Sequence, residues 1–145
     1  MHKNFKYNFK IYYEDTDAGG VVYYANYLKF LERARTEALF DLGLSNSILK
    51  NNFGSLIIVK SCNIEYKKSA YLEDSLSVSS YISSKSKTSI TMNQSILRSN
   101  DQIVVADVHL VFVNEDIKPI KIPENIMEKF KPYFNSNWIK IYRTI

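Results

Sequence analysis

The chain is short of the residues that mark several specialised protein classes. One cysteine, Cys62, in 145 residues excludes an internal disulfide framework and points to a reducing, cytoplasmic setting. That cysteine and two distant histidines, His2 and His109, form no ligand set of recognised spacing, so no metal is expected. No run approaches the roughly 18 apolar residues of a membrane-spanning helix, and the basic N-terminus lacks a signal-peptide core. A soluble protein with no integral membrane segment is the expectation. A phosphate-binding Gly-rich loop and a Gly-x-Ser-x-Gly elbow are also missing.

Arginine, the usual base-reading residue, occurs only four times against a net charge of +4. The lysines are scattered rather than blocked, which describes a solvated lysine surface and no stripe for nucleic acid. What the chain does hold is 46% hydrophobic and 14% aromatic residues, the composition of a globular protein. One domain over residues 1–145 is expected, burying about two-thirds of the surface its unfolded chain exposes.

Residues 5–13 alternate apolar and polar side chains, as a strand does. Residues 26–42 place Tyr27, Leu31, Ala34, Ala38 and Leu42 at helical spacing, with Gly43 positioned to stop the helix. A further helical turn is read between 45 and 54. Strand-like stretches follow at 56–66, 75–82, 88–98 and 102–114, joined by short polar connections that suit antiparallel neighbours. Pro123 opens a last helix. Strand, long helix and then four strands predict an α+β domain with a five-stranded antiparallel sheet wrapped on the helix. Both faces of the last strand carry apolar residues, which predicts a homo-oligomer that covers the outer one.

Glycine is scarce, yet two of the four stand together in EDTDAGGVVYYANY, residues 14–27, just after three acids. A helix N-terminus leaves N–H groups unpaired and carries partial positive charge, so it holds an oxygen on which negative charge develops. Gly19 and Gly20 let a ligand approach the backbone, and a carboxylate just upstream is placed to attack a carbonyl or activate water. The same residues also read as plain turn chemistry, with acids favouring the helix dipole.

Residues 13–37, YEDTDAGGVVYYANYLKFLERARTE, resemble the signature of the hotdog-fold acyl-CoA thioesterases, in the YbgC-like, tol-pal-associated branch related to 4-hydroxybenzoyl-CoA thioesterase. Weaker echoes follow at Ile64-Glu65-Tyr66, Leu72-Glu73-Asp74 and Thr88-Ser89-Ile90-Thr91. The resemblance implies the hotdog fold and hydrolysis of an acyl-CoA thioester, or of an acyl carrier protein thioester, by a homodimer or homotetramer. Coenzyme A is then part of the substrate, and no cofactor is implied. The alternative is a non-catalytic hotdog module that binds acyl chains or partner proteins.

The family's catalytic aspartate falls on Asp17, as nucleophile or general base, and its carbonyl-polarising backbone N–H falls on Tyr24. Asn26 is implied to be structural, while strand alternation and the turn assign Asp15 and Glu14 to supporting the loop. Tyr23, Tyr27 and Phe30 are candidates for the acyl pocket, although aromatics at helical spacing are more often core. Lys60, Lys67, Lys68, Lys85 and Lys87 are candidates for the coenzyme A phosphates, some from a neighbouring subunit. Two departures stand out: Tyr24 occupies a place where YbgC-like members carry histidine, and Ser69 and Tyr71 stand where the family has proline and arginine. His109, in the last strand, reads as structural.

Overall fold

A computed structural model describes residues 2–135. The reading of 1–145 as one domain extends to Met1 and residues 136–145, which lie outside the described residues. Strand β1 (Phe5–Lys10) is followed by helix α1 (Asn26–Asp41), helix α2 (Asn46–Phe53), strands β2 (Leu56–Tyr66), β3 (Ser75–Lys85), β4 (Ser89–Arg98) and β5 (Asp101–Val113), and helix α3 (Glu124–Phe130). The five strands form one antiparallel sheet in the order β1-β3-β4-β5-β2.

This order corrects the expectation that consecutive strands lie side by side. β2 pairs with β5, and residues 67–74 carry the chain across the sheet end before β3 begins beside β1. The crossing leaves β1 and β2 as the two edges. It also places the 67–74 connection where the segment before α1 meets it.

The long helix of the expectation is a helix of moderate length. α1 has 16 residues, about 24 Å at helical rise. Its end is set by a Schellman motif: Leu44 N–H reaches Leu39 O, Gly43 N–H reaches Phe40 O, and Gly43 takes φ +74°. Its apolar stripe, Tyr27, Phe30, Leu31, Ala34, Ala38 and Leu39, is buried. The stripe faces the even-numbered side chains of the sheet, among them Val78, Met92, Ile96, Ala106, Val108 and Phe112, all buried. Phe9 of β1 packs on Phe30 with ring centroids 4.7 Å apart. At the far end, Phe130 of α3 meets Phe112 edge-on at 6.3 Å.

Two polar side chains, Ser80 and Gln94, lie side by side within this apolar layer. Gln94 of β4 is fully buried and fully used: its Nε2 donates to Leu31 O (3.2 Å) and Ser80 Oγ (3.1 Å), and its Oε1 accepts from Arg35 Nη1 (2.9 Å). The opposite face of the sheet is mostly polar and half-exposed. Cross-strand pairs such as Thr91 Oγ1 with His109 Nδ1 (3.1 Å) and Asn93 Nδ2 with Asp107 Oδ1 (3.1 Å) occupy it. Among the described residues the apolar outer residues of β5 are covered only at its end, at Val111 and Val113.

Candidate active site

β1 ends at Lys10, earlier than the alternation of residues 5–13 suggests, because the chain turns through a 3-10 helix at Tyr13–Asp15. Asp15 closes that turn: its Oδ2 accepts Tyr12 N–H at 2.9 Å. A tight hairpin follows. Thr16 bridges Val22, Asp17 N–H donates to Val21 O (2.9 Å), and Gly20 N–H donates to Asp17 O (3.1 Å). Gly20 takes φ +80°, a conformation that L side chains rarely adopt, and so supplies the bulge residue of a three-residue hairpin loop.

Asp17 therefore performs the turn duty that its neighbours suggested. Its Oδ1 accepts Gly19 N–H at 2.8 Å. The carboxylate is nevertheless exposed, and among the described residues its Oδ2 has no hydrogen-bond donor. A Cβ added at Gly19 would stand 3.3 Å from Asp17 Oδ1. Glycine here leaves the carboxylate room.

The hairpin delivers the chain to α1. Asp15 O accepts both Tyr23 N–H (3.1 Å) and Asn26 Nδ2 (2.9 Å), so Asn26 ties the helix start to the turn before it. Among the described residues no side chain caps α1. Tyr24 N–H and Ala25 N–H, just ahead of its first turn, have no acceptor among the described residues. Asp17 and the two unclaimed N–H groups thus belong to one hairpin and the helix that it feeds.

The 67–74 connection braces this arrangement from beneath. Val22 N–H donates to Ala70 O (2.9 Å), Leu72 N–H to Gly20 O (3.3 Å), and Val21 bridges Tyr71. The connection is itself held by Arg98, whose Nη1 donates to Asp74 Oδ2 (2.8 Å) and Ser69 O (3.2 Å). Asp74 Oδ2 also accepts Tyr71 N–H (2.9 Å). The Ser69 and Tyr71 departures fall within this brace, with the Arg98 guanidinium 5.7 Å from the Tyr71 ring centroid. The brace was invisible in the sequence, because nothing in the spacing of Arg98 and Asp74 links a strand end to a loop 24 residues earlier.

The other expected site residues are distributed unevenly. Tyr23 and Tyr24 are exposed beside the hairpin, with rings 5.0 Å apart, and Tyr66 meets Tyr24 edge-on at 6.1 Å. Tyr27, a candidate for the acyl pocket or the core, is buried in the core, and its hydroxyl accepts Ala70 N–H. Phe30 is likewise core. Burial pushes the phenols of Tyr27 and Tyr66 up from their ordinary value.

Lys67 directly follows Tyr66 and is exposed, and Lys60 is exposed on the edge strand β2. Lys68 reaches Asp101 at 3.5 Å. Lys85 and Lys87 stand at the opposite end of β3 from residues 70–72, about 33 Å along the strand. There Lys85 Nζ lies 5.8 Å from the Phe134 ring, and Lys87 O accepts Ile122 N–H. Within one chain these two are not brought to Asp17.

Residues 12–130 match the family described as the thioesterase-like superfamily. The chain is 35% identical over 131 residues to the acyl-CoA thioesterase YbgC of Haemophilus influenzae, covering 90% of this chain and 96% of that protein. It is 37% identical over 129 residues to the acyl-CoA thioester hydrolase YbgC of Escherichia coli O157:H7, covering 88% and 96%. Among solved structures, a probable thioesterase from Bartonella henselae superposes with TM-score 0.80 at 32% identity, over 83% of this chain and 99% of that one. The 4-hydroxybenzoyl-CoA thioesterase of Pseudomonas sp. strain CBS-3 superposes with TM-score 0.82 over 88% and 99%, and at 23% identity it speaks for the hotdog fold alone. With the sheet and helices found here, these matches fix the family: the chain belongs to the thioesterase-like superfamily.

Proposed function

We propose that this chain hydrolyses acyl-CoA thioesters at the start of α1. The carrying observation is the uncapped helix N-terminus, where Tyr24 N–H and Ala25 N–H stand unclaimed beside the hairpin that holds Asp17. The two YbgC relatives, both named for action on acyl-CoA, support the substrate class. The thioester carbonyl oxygen accepts from Tyr24 N–H, and the helix dipole favours the negative charge that develops there. Tyr24 supplies this donor from its backbone, so a tyrosine side chain in place of histidine does not remove it.

Asp17 drives the attack with Oδ2, the oxygen that the turn leaves free. Either that oxygen adds to the carbonyl carbon and the C–S bond breaks to give a mixed anhydride that water then cleaves, or Asp17 takes a proton from a water whose oxygen adds to the same carbon. In both routes coenzyme A leaves as a thiolate and takes up a proton, and one water is consumed. One such N–H donor is worth roughly 10²–10³ in rate, and general-base help about 10²–10⁴.

Gly19 and Gly20 give the thioester close access to the backbone, and Tyr23 flanks it. Lys67 and Lys60 serve the coenzyme A phosphates from the same chain. Lys85 and Lys87 serve them only from a neighbouring subunit, in a homodimer or homotetramer whose sheets lie around their α1 helices. An acyl carrier protein thioester is a second substrate, coenzyme A enters only as substrate, and the cytoplasm is the setting.

A thiol-release assay over short, long and aromatic acyl-CoAs tests the reading. Asp17→Asn is expected to lower turnover by at least about a hundredfold with the melting temperature unchanged. Near-native turnover in that variant removes Asp17 from the chemistry.

A further inference from the structure

A second feature lies away from the hairpin, under the C-terminal half of α1. There a half-open cavity of about 340 Å³ lies between the helix and the sheet, within the usual size of small-molecule sites. Its walls are mainly apolar, with Leu39, Ile57, Ile82, Ile90, Met92 and Leu110 among them. Arg35 also lines it.

The guanidinium of Arg35 is half-buried and makes one hydrogen bond, from Nη1 to the neutral Oε1 of Gln94. Gln94 is locked by Leu31 O and Ser80 Oγ, so it fixes the guanidinium without neutralising it. A guanidinium carries five N–H donors, and among the described residues the others have no acceptor and no carboxylate lies within ion-pair distance. Burial lowers the Arg35 pKa, yet an arginine keeps its charge in any ordinary setting. A half-buried cation on an apolar wall, with no ion-pair partner among the described residues, is placed to receive an anion.

We propose that this cavity binds a free carboxylic acid with an apolar tail, the carboxylate on Arg35 and the tail among the aliphatic side chains of the sheet. The planar fork of a guanidinium matches a carboxylate bidentately. Among the described residues no lysine lines the cavity, so a singly charged head fits better than a phosphate. Glu32, one turn earlier on α1, shares the wall, acts on the Arg35 charge and opposes an incoming carboxylate, at a strength reduced by its exposure to solvent. Hydrolysis of an acyl-CoA releases an acid of this class, so on the reading above this is a product site. Binding itself does not depend on that reading.

Calorimetric titration of the full chain with decanoate, decanol and decylamine tests the proposal. Decanoate is expected to bind at least about tenfold more tightly than decanol, and decylamine not at all. Arg35→Met is expected to weaken decanoate by about tenfold to a hundredfold, the range for a charge-assisted pair, and to leave decanol unchanged. Arg35→Lys restores part of the loss. Glu32→Gln is expected to tighten decanoate, and Met92→Trp, which fills the cavity, to weaken acid and alcohol together. Equal affinity for decanoate and decanol, or decanoate binding that survives Arg35→Met, overturns the proposal. So does an Arg35→Met variant that loses its oligomeric state when the native protein binds no decanoate, since the guanidinium then serves a contact between copies. Where Arg35→Met fails to fold, the acid-over-alcohol ratio and its rise in Glu32→Gln decide.

Discussion

The hydroxyl of Tyr27 accepts a hydrogen bond from the backbone N–H of Ala70 at 3.0 Å, joining the first turn of α1 to a connection 43 residues later. Ala70 is fully buried, and its own carbonyl accepts Val22 N–H. One phenol thus holds the strip of backbone on which the end of the Asp17 hairpin rests.

Tyr27→Phe keeps the ring and removes the acceptor, leaving a buried N–H unpaired. The expected cost is about 1–3 kcal/mol, visible as a lower urea midpoint with an unchanged slope. Turnover is expected to fall as well, because the 15–24 hairpin loses a fixed neighbour. A variant as stable as the native protein shows that water or a shifted backbone satisfies Ala70 instead.

The same phenol sets an alkaline limit. Its folded pKa is raised above the ordinary 10.0 by burial, so ionisation is harder folded than unfolded. Its contribution is fully present below pH 10 and is lost as pH rises through the folded pKa. Urea midpoints measured below and above pH 10 are expected to drop more in the native protein than in Tyr27→Phe. Equal drops assign the alkaline loss elsewhere, with Tyr66, raised for the same reason, as the next phenol to replace.

Tyr27 also shows where sequence reading stopped. Its helical spacing placed it on the apolar stripe of α1, and the stripe is there. In the sequence the same residue is a candidate for the acyl pocket as well as for the core, and its ring lies in the core while its hydroxyl meets a loop. Periodicity reports which side of an element is buried, and it carries no information on what a buried polar tip will meet. Strand existence was legible for the same reason. The β2–β5 pairing was not, because pairing depends on a chain crossing whose partners are distant in sequence. In the hairpin, Asp17 beside glycines was legible both as a turn and as a reactive group, and the geometry assigns one carboxylate oxygen to the turn and leaves the other free.

Arg98 extends the brace. Its Nη1 joins Asp74 to Ser69 O, and both side chains of the ion pair are mostly buried. Arg98→Met strips both contacts and is expected to speed hydrogen exchange at the Val22 and Leu72 amides, which bond Ala70 O and Gly20 O. Exchange in the middle of β4 stays slow. Turnover is expected to fall through kcat more than KM, with partial rescue in Arg98→Lys. Unchanged exchange at Val22 uncouples the ion pair from the hairpin.

Gly19 and Gly20 separate two effects that adjacent glycines usually blur. Gly20 sits at φ +80° with nothing within 4 Å of an added Cβ, so Gly20→Ala meets backbone strain and no collision. It is expected to cost about 1 kcal/mol, the penalty for an L residue in the left-handed region, as a modest fall in melting temperature. Gly19 has no such φ, but its added Cβ would stand 3.3 Å from Asp17 Oδ1. Gly19→Ala should therefore melt close to the native protein while displacing the carboxylate, and turnover should fall more than in Gly20→Ala. The reverse order, with Gly20→Ala the poorer catalyst, points to hairpin shape rather than the setting of Asp17 as what the reaction requires.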